Sequence, residues 1–89
     1  MKAIWKYPIK PGLFVLDLPK DAQVRWVGFQ CGAPSMWVEI DPTSPHEMVW
    51  FQTVATGEQF TDGIYHGTVF IGSLVFHLFK LQAREGGEA

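Results

Sequence analysis

The segment from Ile64 to Leu81 reads IYHGTVFIGSLVFHLFKL, and its pattern predicts two β-strands joined by a tight turn at Gly72-Ser73. Glycine at the first central position suits a type II′ hairpin turn, where the backbone takes φ > 0. The flanks are rich in Val, Ile, Phe and Tyr, which fit a pleated surface. A two-residue turn sets the register: Ile71 opposite Leu74, Val69 opposite Phe76 and Gly67 opposite Leu78. Tyr65, Val69, Ile71, Leu74, Phe76 and Leu78 then share one apolar face, expected to be core. The other face carries Ile64, His66, Thr68, Phe70, Val75, His77, Phe79 and Leu81, with Thr68 opposite His77 and His66 opposite Phe79. A strand wet on one side is expected to be more polar than this. A second sheet, another subunit or a ligand is therefore expected over that face.

Upstream of the hairpin, five further strands are predicted: Ala3 to Tyr7, ended by Pro8; Leu13 to Leu18; Ala22 to Cys31; Met36 to Ile40; and Glu47 to Ala55. Pro11-Gly12, Pro19-Lys20-Asp21, Gly32-Ala33-Pro34 and Asp41-Pro42 supply the turn signals. Gly28 inside the third strand marks a bulge or a close approach. Thr56 to Gly63 is a polar connection. About seven short strands at regular spacing predict an all-β fold, an antiparallel sandwich or small barrel ending in the hairpin. Residues 1–82 form one domain in this reading, and 83–89 are expected to be a disordered tail.

The 89 residues suffice for one small domain, yet 47% are hydrophobic and 15% aromatic. So many rings exceed what a small monomer hides, and a homo-oligomer is expected. The net charge is −2, with Lys and Arg scattered, which argues against long nucleic acid as a partner. A small nucleotide needs only one or two cationic contacts. The single cysteine, Cys31, leaves no internal disulfide and is compatible with the cytoplasm. No apolar run approaches the ~20 residues of a transmembrane helix, and no signal peptide is expected from the charged start Met1-Lys2-Ala3-Ile4-Trp5-Lys6.

Catalytic motifs are weak. His46-Glu47 starts a zinc-protease-like motif, but position 50 is Trp50 and the segment reads as strand. His66 and His77 share a hairpin face and could hold a metal. Core histidines bonded to Thr68 or to backbone are the more ordinary expectation, and no metal, cofactor or enzymatic activity is expected. The tryptophans Trp5, Trp26, Trp37 and Trp50 fall on four strands. Each is first a candidate for core or subunit interface. The sharper expectation is that Trp26, on the side of Val24, and Trp37, on the side of Glu39, stack on a nucleobase. Arg25 and Lys6 are then the candidates for phosphate, with Lys20 behind them. Thr56 and Gly57 offer a hydroxyl and an approachable backbone, or else a plain turn.

In order along the chain, Lys6-Tyr7-Pro8-Ile9, Leu18-Pro19-Lys20, Gly32-Ala33-Pro34-Ser35-Met36-Trp37-Val38-Glu39-Ile40-Asp41-Pro42, Thr56-Gly57 and the run from Gly67 to Phe79 resemble a family of small β domains of unassigned function common in phage and prophage genomes. Glu58 stands where that family often has His after the Thr-Gly pair. In scale and composition the chain is also similar to the oligomeric anti-CBASS sponges. That resemblance implies stoichiometric sequestration of a cyclic nucleotide signal of bacterial defence, without chemistry, in the host bacterial cytoplasm. It also implies a site at a subunit interface. The alternative is a phage accessory module that docks on a host protein, whose motive is the same excess of apolar surface.

Overall fold

A computed structural model describes residues 1–82, and within them the chain is a two-layer antiparallel β-sandwich. Seven strands form: β1 (Ala3–Pro8), β2 (Leu13–Pro19), β3 (Gln23–Gln30), β4 (Ala33–Ile40), β5 (His46–Ala55), β6 (Ile64–Ile71) and β7 (Leu74–Lys80). One sheet has the order β1-β4-β3 and the other β2-β5-β7-β6. The barrel alternative is therefore set aside, because neither sheet closes on itself. The tail expected at 83–89 lies outside the described residues. Among those described, no helix is long and apolar enough to cross a membrane.

The hairpin register matches the reading of its sequence from the turn as far as Gly67. Ile71 pairs with Leu74, Val69 with Phe76, Thr68 with His77 and Gly67 with Leu78. Gly72 has φ 61° while Ser73 is not left-handed, as a type II′ turn requires. Beyond Gly67 the pairing slips: Tyr65, not His66, lies opposite Phe79, and His66 is the extra residue of a β-bulge. One extra residue exchanges the faces of everything before it. Tyr65, expected in the core, points out and is 56% exposed. His66 turns inward.

Strand ends differ from expectation where proline was read as a stop. Pro8 stays in β1 because β1 is an edge strand, where a missing N–H costs no ladder bond. Pro34, expected in a turn, lies within β4. Its carbonyl accepts the Ile9 N–H at 3.1 Å, so its backbone faces the β1 side where that strand ends. The β3–β4 hairpin therefore turns at Cys31-Gly32 alone, with φ of 51° and 78°. Both central residues are left-handed, as in a type I′ turn.

The core lies between the sheets. Phe14 and Leu18 of β2, Val49 and Phe51 of β5, and Val69 and Leu78 of the last hairpin meet Met36, Val38 and Ile40 of β4 and Val27 of β3. The layers touch closely where β6 crosses β3. A Cβ on Gly67 would stand 2.8 Å from the Cβ of Val27, so only glycine lets the strands approach this near. At the other end, Thr53 Oγ1 accepts the Gly12 N–H (2.8 Å) and donates to the Lys10 carbonyl (3.0 Å). That tether holds the β1–β2 connection against β5.

Two stability predictions follow from this geometry. Gly67→Ala should cost about 1–3 kcal/mol, as overpacking does, read as a fall of several degrees in Tm; an unchanged Tm means the sheets yield at that contact. Cys31→Asn should raise stability by up to about 1 kcal/mol, since Asn accepts the left-handed conformation that a type I′ turn imposes, and chemical denaturation will show the gain.

Candidate functional site

The outer surface of the β1-β4-β3 sheet brings together four of the six candidate site residues. Alternation along β4 turns Met36, Val38 and Ile40 inward and Trp37 and Glu39 outward. Lys6 of β1 lies opposite Trp37 on one side and Trp26 of β3 on the other. A bulge decides the place of Trp26. Arg25 is the extra residue between Val24, which pairs with inward Val38, and Trp26, which pairs with outward Trp37. The expectation that Trp26 shares its side with Val24 is thus corrected, because the bulge exchanges faces there as it does at His66.

Trp26 and Trp37 form a tilted pair, their ring centroids 4.9 Å apart and their planes at 45°. The Trp26 ring lies back over Gly28, where any Cβ would come within 2.3 Å of its carbons. Gly28 is thus the close-approach point, and the bulge sits three residues earlier. Trp26 remains 59% exposed, so one indole face is open beside a second, more covered ring. Lys6 Nζ sits 5.9 Å from the Trp37 ring centre, within cation–π range, and donates to Gln30 Oε1 at 2.8 Å. Gln30 is neutral, so the charge of Lys6 is not cancelled by that partner.

Arg25 is differently placed. Its Nε donates to Glu39 Oε1 at 2.9 Å, and Lys2 Nζ approaches the other carboxylate oxygen at 3.1 Å. The Arg25 hydrogen bond first, and that of Lys2 second, hold the Glu39 carboxyl below its ordinary range. Lys2, Lys6 and Arg25 against Glu39 leave this face net positive on a chain of net charge −2. Both partners could have been sought in the sequence: Glu39 alternates with Trp37, and Gln30 alternates with Gly28. What the sequence hid was the pairing of β3 with β4 across the bulge.

Thr56 and Gly57 do not join this group. They follow β5, on the outer surface of the other sheet. The Thr56 hydroxyl bonds His77 Nε2 at 2.9 Å, and His77 Nδ1 bonds Thr68 Oγ1 at 3.0 Å, which in turn meets the Tyr65 hydroxyl at 2.5 Å. His77 is therefore held by threonines, as ordinary packing of a histidine predicts. Gly57 has φ 95°, a turn conformation that explains the glycine without a ligand. Glu58 accepts the Ala55 N–H at 2.8 Å and so closes the same turn. The aromatic in this connection, Phe60, stacks on Phe79 with centroids 4.5 Å apart. A large ring within a polar loop was the signal that it would fold back on the sheet.

The two-histidine metal site is corrected by the bulge at His66. His77 faces outward, whereas His66 faces a cavity of about 140 Å³ lined by Leu18, Val24, Val49, Phe51 and Lys80 among others. Among the described residues no group of three His, Cys, Asp or Glu is placed to hold a metal ion. His66 Nε2 is buried without a hydrogen-bond partner. Burial first, and the Lys80 charge second, lower its pKa.

The chain is thus a small two-layer β-sandwich that exposes a pair of indoles with Lys6 and Arg25 near it on one sheet. The chain belongs to the family of the domain of unknown function DUF7352, whose model matches residues 1–88. No curated protein and no solved structure matches it.

His66 generates a pH prediction. The unfolded chain binds a proton at His66 near its ordinary pKa, whereas the folded chain binds it only at lower pH. Stability should therefore fall as pH drops below about 6.5, the ordinary histidine value, and level off below the folded pKa. In His66→Gln that share of the acid sensitivity should vanish, measured as denaturation midpoints from pH 7.5 to 5; equal slopes in the two proteins place the proton elsewhere.

Proposed function

We propose that this domain is a non-catalytic binding module for a small nucleotide, and that it sequesters a cyclic nucleotide signal of bacterial anti-phage defence without converting it. The observation that carries this reading is the Trp26–Trp37 pair with Lys6 beside it and Arg25 at its edge. A base that stacks on the open face of Trp26 covers exposed indole, and such stacking is worth about 1–3 kcal/mol per base with no sequence code. Lys6 carries a charge that its neutral partner leaves available for a phosphate. Arg25 can meet a second phosphate only by sharing itself with Glu39, so its contribution is smaller. The ligand contacts assigned here are Trp26, Trp37, Lys6 and Arg25; Thr56 and Gly57 serve the opposite sheet. A phage origin and a place in the host bacterial cytoplasm belong to the same proposal.

A module that docks on a protein is the second reading. It is favoured by the exposed aromatic residues of the other sheet, Trp50, Tyr65 and Phe70.

The test is the melting temperature against cyclic di- and trinucleotides and cyclic ADP-ribose isomers. A ligand at about a hundred times its Kd should stabilise the fold by about 2.7 kcal/mol, a clear rise in Tm for a domain of this size, and should be recovered intact after heating. Trp37→Ala and Gly28→Ala, which displaces the Trp26 ring, should each weaken that binding at least tenfold while leaving the circular dichroism unchanged. No shift with any of these nucleotides removes the sequestration reading for them, and an altered ligand removes the claim of no catalysis.

A further inference from the structure

We infer that the outer face of the β2-β5-β7-β6 sheet is the interface of a two-fold homodimer, so that its occupant is a second copy of this chain. The first argument is charge. From the Val15–Trp50 row to the Val75–Phe70 row, no outward residue is Lys, Arg, Asp or Glu. Asp17, opposite Met48, is the first charge met, at the rim. Glu58, in the turn after β5, accepts the Ala55 N–H and keeps its charge beyond the end of that strand. A two-fold interface sets each patch against itself, so a charge near the axis would meet its own kind. A face without charges satisfies that condition, whereas a foreign partner imposes no such restriction. The other sheet, with Lys2, Lys6, Arg25 and Glu39 on its surface, does not meet it.

The second argument is that most polar side chains of this face already satisfy one another; Gln52, between Leu13 and Phe79, stands outside that network. Thr56, His77, Thr68 and Tyr65 form one hydrogen-bonded chain across β5, β7 and β6. Covering them leaves these groups bonded, so the usual cost of burying polar atoms is small. The third argument is area. Leu13, Met48, Trp50, Phe60, Tyr65 and Phe70 are each 45–67% exposed. With the half-buried residues between them they offer on the order of 600–800 Å², near the ~800 Å² per partner of a stable interface. The molecule is a slab of 39 × 35 × 15 Å, broad enough to present that area on one side. A dimer formed this way leaves both tryptophan faces outward.

This inference is independent of the nucleotide reading, and its test contains no nucleotide. Light scattering behind size exclusion, over low to high micromolar protein, should give twice the 10.1 kDa chain mass. Phe70→Lys should raise the dimer dissociation constant at least about 30-fold, as placing a charge at a buried aromatic anchor does, with the circular dichroism unchanged. Ile4→Lys, on the opposite sheet, should remain dimeric. If Phe70→Lys fails to fold, Leu13→Lys on the same face takes its place. Wild-type protein that stays monomeric at high micromolar concentration overturns the inference, whether or not another protein then binds the face. So does a dimer that the folded face variant leaves intact, or one that Ile4→Lys dissociates.

Discussion

The close approach of β6 to β3, glycine against valine, holds the two sheets in the relation on which the rest of the molecule depends. Gly67 carries no Cβ, and the Val27 side chain occupies the space where one would be. On either side of that contact each strand contains a bulge, at His66 in β6 and at Arg25 in β3. Each bulge exchanges the side-chain faces of its strand at that point. Val24 and Val27 stay in the core while Trp26 is sent out. Val69 stays in while Tyr65 is sent out. The indole pair, and the place of Tyr65 on the outer aromatic sheet, both arise from adjustments beside one contact.

The two outer faces differ in kind. One is small, net positive and built around a pair of indoles whose nearest cation is bonded to a neutral amide. The other is broad, uncharged and internally hydrogen-bonded. Charge attracts and orients small anions, whereas uncharged apolar area favours association of extended surfaces. The two faces thus suit different partners, and a ligand on one need not compete with a protein on the other. His66 belongs to neither. Its buried, unpartnered nitrogen sits where the bulge turned it inward, and burial there lowers its pKa.

Much of the fold was legible because strands with a buried face announce themselves by alternation and turn chemistry. Gly72-Ser73 set a register that holds for five consecutive pairs, from Ile71–Leu74 to Gly67–Leu78. The failures share one cause. A bulge adds one residue to a strand without any obligatory residue type, so Val24-Arg25-Trp26 and Tyr65-His66-Gly67 read in sequence as plain alternation. Prolines misled for a related reason: Pro8 and Pro34 are tolerated because of where their nitrogens face, which depends on neighbouring strands. Trp26, Trp37, Lys6 and Arg25 could be chosen from residue chemistry alone. That they meet, and that Thr56 and Gly57 stand apart from them, could not.

The sequence by itself determined an all-β domain of seven antiparallel strands, the final hairpin with its turn, and an excess of aromatic residues beyond what so short a chain can bury. Those properties follow from side-chain period, turn propensity and composition, which are local. Only the tertiary structure decided that the strands form an open sandwich, which side of each sheet the tryptophans and histidines occupy, and which charges lie together. Face and proximity depend on strand order and on single-residue slips in pairing, and these are fixed by packing between residues far apart in the chain.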